Sequence, residues 1–481
     1  MFLKYIEEEK LKFGKDIEAF DPRIGLLRGG PYSSSISDGE REFKIINCGI
    51  IGTKVSKTNI ISLIDRISHG LKANDKTYGN LGFPGLGIQS PLQFSIRFSD
   101  EWYSSFNDNE IDQILEASDN NLKKNILFQL IEEKIINLKY TDPPPDIIFI
   151  PVERDIIKAF QHDNIESNNI VFANRNKPRT VSASEGDINF HSILKIIGMK
   201  HNIVTQLIKS KTLKLKMNED VVTTAWNLIV GLYYKAKRIP WKFTEFEDQV
   251  CYVGISFYRD FSEKEVKMGT SMAQVFLSSG DSYILKGDSF KIDKQEDNRS
   301  PNLDRRNAKN IIDKVLKFYK KLKKIYPLRL VIYKTSNFTD SEIEGIYDNI
   351  ADIKNIDMIS INENPKIRLY RQDQYPVMRG TTLITEDHKE AILYTIGFIP
   401  SLNTYPGHQI PKPIKIRQFT SNTDMITICR EILKLTRLDW NDIKFCHKMP
   451  VTLSFPKKVS KVLVEKRAAD INIQPHYRFY M

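Results

Sequence analysis

Residues 187–208 read DINFHSILKIIGMKHNIVTQLI. A helix over the first half sets His191 and Lys195, four residues apart, on one face. The apolar run IVTQLI (203–208) reads as a strand carrying Gln206. Lys235 then closes the amphipathic stretch DVVTTAWNLIVGLYYKAKRIPW (220–241). Helix, strand and helix are the rhythm of an α/β fold. They offer an imidazole, two ammoniums and an amide, all able to donate to phosphate oxygens. Taken singly, each suits a solvated or capping role, and a lone histidine is usually structural.

The same rhythm extends to both sides. Upstream, KIINCGIIGT (44–53) reads as a buried strand and NIISLIDRISHGL (59–71) as a helix. The segment GNLGFPGLGIQSP (79–91) is turn-rich, and its glycines do not form a dinucleotide fingerprint. DPPPDIIFIPVERD (142–155) is a stiff proline lead into a further apolar strand. The first 40 residues read as irregular, with GGPYSSSISDGE (29–40) a loop. Downstream of Pro240 and Trp241 a second unit opens on the strand QVCYVGISFYRDF (249–261), followed at hairpin spacing by AQVFLSS and SYILKGDSF. Strands are expected at LRLVIYK, IDMISINE, KIRLYRQ, GTTLIT and AILYTIGF, and helices at SEIEGIYDNI, TDMITICREILKLTRLDW and near PKKVSKVLVEKR. Three β segments followed by alternating helix and strand suit a ribonuclease-H-like order, one candidate among several.

Composition bounds the rest. A chain of 481 residues with 41% hydrophobic content and a mean hydropathy of −0.36 is long enough for two to four globular domains. No run approaches the 18 apolar residues of a membrane span, and MFLKYIEEEKLKFGKD lacks the pattern of a signal peptide, so a cytoplasmic location is expected. Cys48, Cys251, Cys429 and Cys446 are widely spaced without a CxxC pair, which argues against a zinc or disulfide framework. The net charge of +11 favours a polyanionic partner. Its densest run, FYKKLKKIYP (318–327), lies in an amphipathic helix for which Ser300 and Pro301 offer an N-cap and first residue; a solvated face is favoured over direct nucleic-acid contact.

Several stretches in order resemble a short prokaryotic Argonaute, built of MID and PIWI domains without N and PAZ domains. They are DPRIGLLRGGPY (21–32), GFPG (82–85), HSILKIIGMKHNIVTQL followed by AWNLIVGLYYKAKRIPWKF, YTIGF with YPGHQIPKPIKI, and ICREILKLTRLDWND. The resemblance implies an α/β chain with an N-terminal segment (1–45), a Rossmann-like MID domain (46–245) and a ribonuclease-H-like PIWI domain (246–481). It implies that His191, Lys195, Gln206 and Lys235 hold the 5′-phosphate of a guide. A Mg²⁺ ion there would be ligated by the terminal carboxylate of Met481, whose neighbours Tyr477, Phe479 and Tyr480 favour a docked tail.

A cutting PIWI domain needs acidic residues around two metal ions. The resemblance sets Ser256, Thr335 and Lys457 at three such positions, in Gly254-Ile255-Ser256, Tyr333-Lys334-Thr335-Ser336 and PVTLSFPKK, the last read as a proline-containing strand. Hydroxyls lack the charge of carboxylates and an ammonium repels metal. Asp260 and Asp340 lie four and five residues away from the first two positions, and Glu342 reads as a helix-start charge. The expectation is a PIWI domain that does not cut. It would pair a guide, expected to be RNA, with complementary DNA, and act in defence through an APAZ-containing effector partner of TIR, sirtuin-like or nuclease type. A compensated, active guided endonuclease is the alternative; a nucleotide- or NAD-using enzyme ranks last, for want of a GxGxxG or GxxxxGK[ST] motif.

Overall fold

The computed structural model describes residues 1–34, 42–73, 81–151, 190–213, 221–244, 249–260, 267–277, 280–288, 290–291, 302–348, 350, 353–407, 409–463 and 474–481. The chain divides into two compact units. One comprises Met1–Glu40, Ile239–Val464 and Pro475–Tyr477; the other comprises Arg41–Arg238 with the end of the chain, Arg478–Met481. The first residues are therefore neither irregular nor a segment apart. Phe2–Tyr5 forms strand β1, and Pro22–Gly29 forms helix α1, started by Pro22 and capped by Asp21, which accepts from the amides of Arg23 and Ile24. Both belong to the unit that holds residues 239–464.

The Arg41–Arg238 unit runs β2 (Lys44–Ile51), α2 (Lys54–Ser68), β3 (Phe94–Arg97), α3 (Asp108–Glu116), α4 (Asn120–Lys139), β4 (Ile147–Pro151), α5 (Phe190–Lys200), β5 (Val204–Ile208) and α6 (Val221–Lys235). Its sheet has the order β3-β2-β4-β5 with every pairing parallel, and Tyr103–Ser104 adds a short strand beside β2. A parallel sheet must be covered on both faces, which is why β4 (IIFIP) is buried at every residue. Ile51, Ile131, Ile135, Ile148, Ile150, Ile193 and Ile197 join strands to helices in one core. The connection from β2 goes to one side and the next to the other, a Rossmann-like winding.

The other unit continues with β6 (Val250–Asp260), β7 (Lys267–Phe276), β8 (Ser282–Lys286), α7 (Arg305–Lys323), β9 (Arg329–Lys334), α8 (Asp340–Tyr347), β10 (Asn355–Asn362), β11 (Thr381–Ile384), β12 (Glu390–Leu393), β13 (Ile414–Thr420), α9 (Met425–Leu435) and α10 (Val451–Leu463). Its mixed sheet has the order β1-β11-β12-β13-β10-β9-β6-β7-β8. An antiparallel meander, β6-β7-β8, is followed through α7 and α8 by β9 and β10 parallel to β6. That is the ribonuclease-H-like order. The register sets Gly254 beside Tyr333 and Ile255 beside Lys334.

Three local expectations are corrected. Helix α7 is capped by Asp304, whose side chain accepts from the Asn307 amide, while Ser300 and Pro301 lie outside the described residues. KIRLYRQ (366–372) is not a strand: its alternating pattern belongs to an exposed loop. PVTLSFPKK lies in helix α10, not in a strand, with Pro456 inside it. Proline has no N–H to give the carbonyl four residues back, that of Thr452. This freed carbonyl is turned on Gly254 of β6, where any Cβ would collide with it.

Buried charge in this unit is neutralised locally. The Arg329 guanidinium pairs with Asp357 (2.6 Å) and with Glu431, which also accepts from the Tyr252 hydroxyl at 2.9 Å. Glu8, near the start of the chain, is held between Arg379 (2.5 Å) and Arg437 (3.1 Å). Cys48, Cys251, Cys429 and Cys446 are all free thiols. Among the described residues no helix is long and apolar enough to cross a membrane.

Candidate phosphate-binding site

Helix α5 turns back into β5 within three residues. Asn202 takes a left-handed φ of 57°, and a Cβ on Gly198 would stand 2.6 Å from the Ile203 carbonyl oxygen. Only glycine permits that approach. The tight return lays Lys195, one turn before Gly198, against Thr205 of β5. Its Nζ donates to the Thr205 carbonyl oxygen at 2.6 Å. From α6, the Nζ of Lys235 donates to the same oxygen at 3.3 Å and to Oε1 of Gln206 at 2.5 Å. The Gln206 amide donates to the Leu207 carbonyl at 2.9 Å.

Three of the four expected residues are thus joined, the two lysines on one backbone oxygen and Gln206 through Lys235. His191 stands one helical turn before Lys195, half-buried. The Thr205 carbonyl is the hub, and a backbone atom leaves no mark on residue identity. The end of the chain is docked in the same unit: Met481 is buried, and Arg478 donates to the Lys235 carbonyl at 3.4 Å.

The electrostatics of the trio are unusual. Lys195 and Lys235 are 2% and 3% exposed, and no carboxylate side chain among the described residues pairs with either. Burial pushes Lys195 well below the usual lysine range, with the Lys235 ammonium adding to the effect; burial likewise pushes Lys235 down to about 7. Two amines buried against one carbonyl give up protons because their charge is uncompensated there, and an anion entering the site would restore it. The donor set of ammoniums and an amide fits phosphate. It does not fit a bare divalent cation, which both ammoniums would repel, so no role is derived through Mg²⁺.

In the other unit, the aligned ends of β6 and β9 bring Ser256 and Thr335 to neighbouring strands. Among the described residues the buried Ser256 hydroxyl has no hydrogen-bond partner, and Thr335 is exposed just past β9. Lys457 lies on α10 and Asp260 at the end of β6. Asp340 is exposed at the start of α8. Sequence reading missed Lys334: fully buried, its Nζ donates to both oxygens of Glu342 at 2.6 Å and to Asn302 at 3.1 Å. Glu342 also accepts from the amides of Leu303 (2.8 Å) and Thr339 (2.9 Å), so its carboxylate is fully engaged. Among the described residues no group of three or more His, Cys, Asp or Glu side chains is arranged to hold a metal.

No protein-family model matches the sequence, and no curated protein matches it. Solved structures do. Clostridium butyricum Argonaute bound to a guide DNA and a 19-mer target DNA superposes with a TM-score of 0.64 at 14% identity, over 98% of this chain and 54% of that one. Marinitoga piezophila Argonaute in complex with 5′ OH guide RNA and target DNA gives 0.59 at 14% identity, over 97% and 59%. Drosophila Piwi gives 0.62 at 11% identity, over 100% and 56%. The chain spans about half the length of these structures. Its α/β fold, a Rossmann-like unit and a ribonuclease-H-like unit, is the MID and PIWI fold of the Argonaute proteins.

Proposed function

We propose that this protein is a guide-holding, target-sensing module of the short Argonaute kind, whose output leaves through a partner. The carrying observation is the pair of buried amines, Lys195 and Lys235, meeting on the Thr205 carbonyl with no acid among the described residues against them. A 5′-phosphate supplies the missing charge. Gln206, turned from its internal contacts, adds an amide donor, and His191 an imidazole. Anchoring one end leaves sequence reading to base pairing, with RNA as the guide and single-stranded DNA as the target.

The PIWI unit is proposed to bind without cutting. Ser256 and Thr335 supply hydroxyls where carboxylates would hold metal, Lys457 supplies an ammonium, and Glu342 is committed to Lys334. An APAZ-containing effector protein in the cytoplasm, of TIR, sirtuin-like or nuclease type, would turn target pairing into defence. The test compares 5′-phosphorylated and 5′-hydroxyl guides on the intact protein and on Lys195→Ala. Loss of one charge-assisted contact weakens the phosphorylated guide by about 1.5–3 kcal/mol and spares the hydroxyl guide. Equal weakening of both would sink the phosphate reading. Cleavage of a matched target, abolished by EDTA, would sink the non-cutting one, and purification from the native host shows whether an effector accompanies the chain.

A further inference from the structure

The loop after β10 leaves the sheet at the carboxyl ends of the parallel strands β6, β9 and β10, the edge that carries Ser256 and Thr335. Such edges are where open α/β sheets receive ligands. The loop reads NPKIRLYRQDQYP (364–376). It is irregular but held from within. The Leu369 amide donates to the Tyr394 hydroxyl at 2.6 Å, and Tyr375 stacks on Phe398 at 4.5 Å with planes 12° apart. Arg371 lies over the same Phe398 ring at 5.4 Å and pairs with Asp373.

Between these anchors Tyr370 is 78% exposed and Ile367 is 41% exposed. A large aromatic ring fixed by its neighbours and left uncovered is unusual for a surface loop. Cations flank it. Among the described residues Lys366 is exposed and pairs with no acid, and Arg368 donates to the backbone carbonyls of Pro365 and Ile367. Lys412, also exposed, precedes β13, whose Lys415 is the register partner of Asn362, so it emerges at the same edge. Aromatic stacking with flanking phosphate contacts is how single-stranded nucleic acid is held without sequence readout.

We infer that Tyr370 is a base-stacking platform for an unpaired nucleotide, with Lys366, Arg368 and Lys412 contacting the adjoining phosphates. The inference rests on the nucleic-acid-binding reading above and assigns that function a second, separate site. The probe is a set of single-stranded oligonucleotides, each carrying one 5-iodouracil, irradiated with the full-length protein and mapped by peptide mass spectrometry. The expected crosslink falls on Tyr370. Tyr370→Ala removes it and weakens oligonucleotide binding about tenfold, whereas Tyr370→Phe keeps both.

Crosslinks that never reach residues 364–376, or unchanged affinity in Tyr370→Ala, overturn the proposal. The 5′-phosphate preference of the same variants is measured alongside. If it survives in Tyr370→Ala and is lost in Lys195→Ala while no crosslink reaches Tyr370, the stacking site falls and the guide reading stands. If binding depends on Tyr370 but shows no 5′-phosphate preference, the stacking site stands and the guide reading falls.

Discussion

Replacing Lys235 by methionine is expected to make the phosphate-free protein more stable while removing its preference for a 5′-phosphate. Lys235 is buried, and burial lowers its pKa from the ordinary 10.5 to about 7. Each tenfold change in a protonation equilibrium is worth about 1.36 kcal/mol, so holding this amine costs the native state about 4 kcal/mol at neutral pH. Methionine fills similar volume without the charge. It forfeits the hydrogen bond to Gln206 and the weaker one to Thr205, whose oxygen keeps Lys195. Offsetting about 1–2 kcal/mol for those contacts leaves a net gain of about 2–3 kcal/mol.

Proton linkage fixes how this stability varies with pH. Between about 7 and the ordinary 10.5 the unfolded chain binds more protons at Lys235 than the folded one, so wild-type stability rises with pH across that window. Lys235→Met flattens the rise, and its advantage is greatest at or below neutral pH. The assay is denaturant unfolding at several pH values on phosphate-free protein, with guide affinity measured in parallel. A variant at least about 1 kcal/mol less stable than wild type at neutral pH, or one that still favours a 5′-phosphate, would refute the view that these lysines await an anion.

Other perturbations have equally definite outcomes. The 5′-phosphate preference of wild type should weaken as pH rises above about 7, up to about tenfold for each pH step of one if a single proton is taken up at Lys235, as read by guide titration against a 5′-hydroxyl control. Gly254→Ala should cost about 1–3 kcal/mol in thermal unfolding, because its methyl meets the Thr452 carbonyl that Pro456 leaves without a donor. Arg329→Met should cost about 3–5 kcal/mol by stranding Asp357 and Glu431, measured by loss of folded protein at neutral pH and partial recovery on acidification. Ser256→Asp combined with Thr335→Asp should yield no metal-dependent cleavage in a gel assay, since Lys334 and Glu342 remain paired beside the site.

What was legible in the chain was local. Continuous apolar runs such as IIFIP and LRLVIYK announce strands buried on both faces, and the spacing of Ile312, Val315, Leu316, Tyr319 and Leu322 announces the apolar stripe of α7, of which the first four are buried and Leu322 is exposed. These signals survive because they depend on neighbours within one turn or one pleat. KIRLYRQ shows their limit. Its alternation is that of a strand, yet residues 366–372 hang from the sheet by Tyr394 and Phe398, both more than 20 residues away. PVTLSFPKK misleads similarly: proline argues against helix until the freed Thr452 carbonyl finds Gly254.

The candidate site divides the same way. Sequence alone selected His191, Lys195, Gln206 and Lys235 as residue types suited to phosphate, and the Argonaute resemblance set Ser256, Thr335 and Lys457 where metal ligands would stand. Only the tertiary structure decided that both lysines close on one carbonyl with no acid among the described residues, because charge balance in a buried site is summed over elements far apart in the chain. It likewise decided that Lys334 and Glu342, unremarkable as letters, neutralise each other beside Thr335. Residue type states what a side chain can bind; burial and partners decide what it still needs.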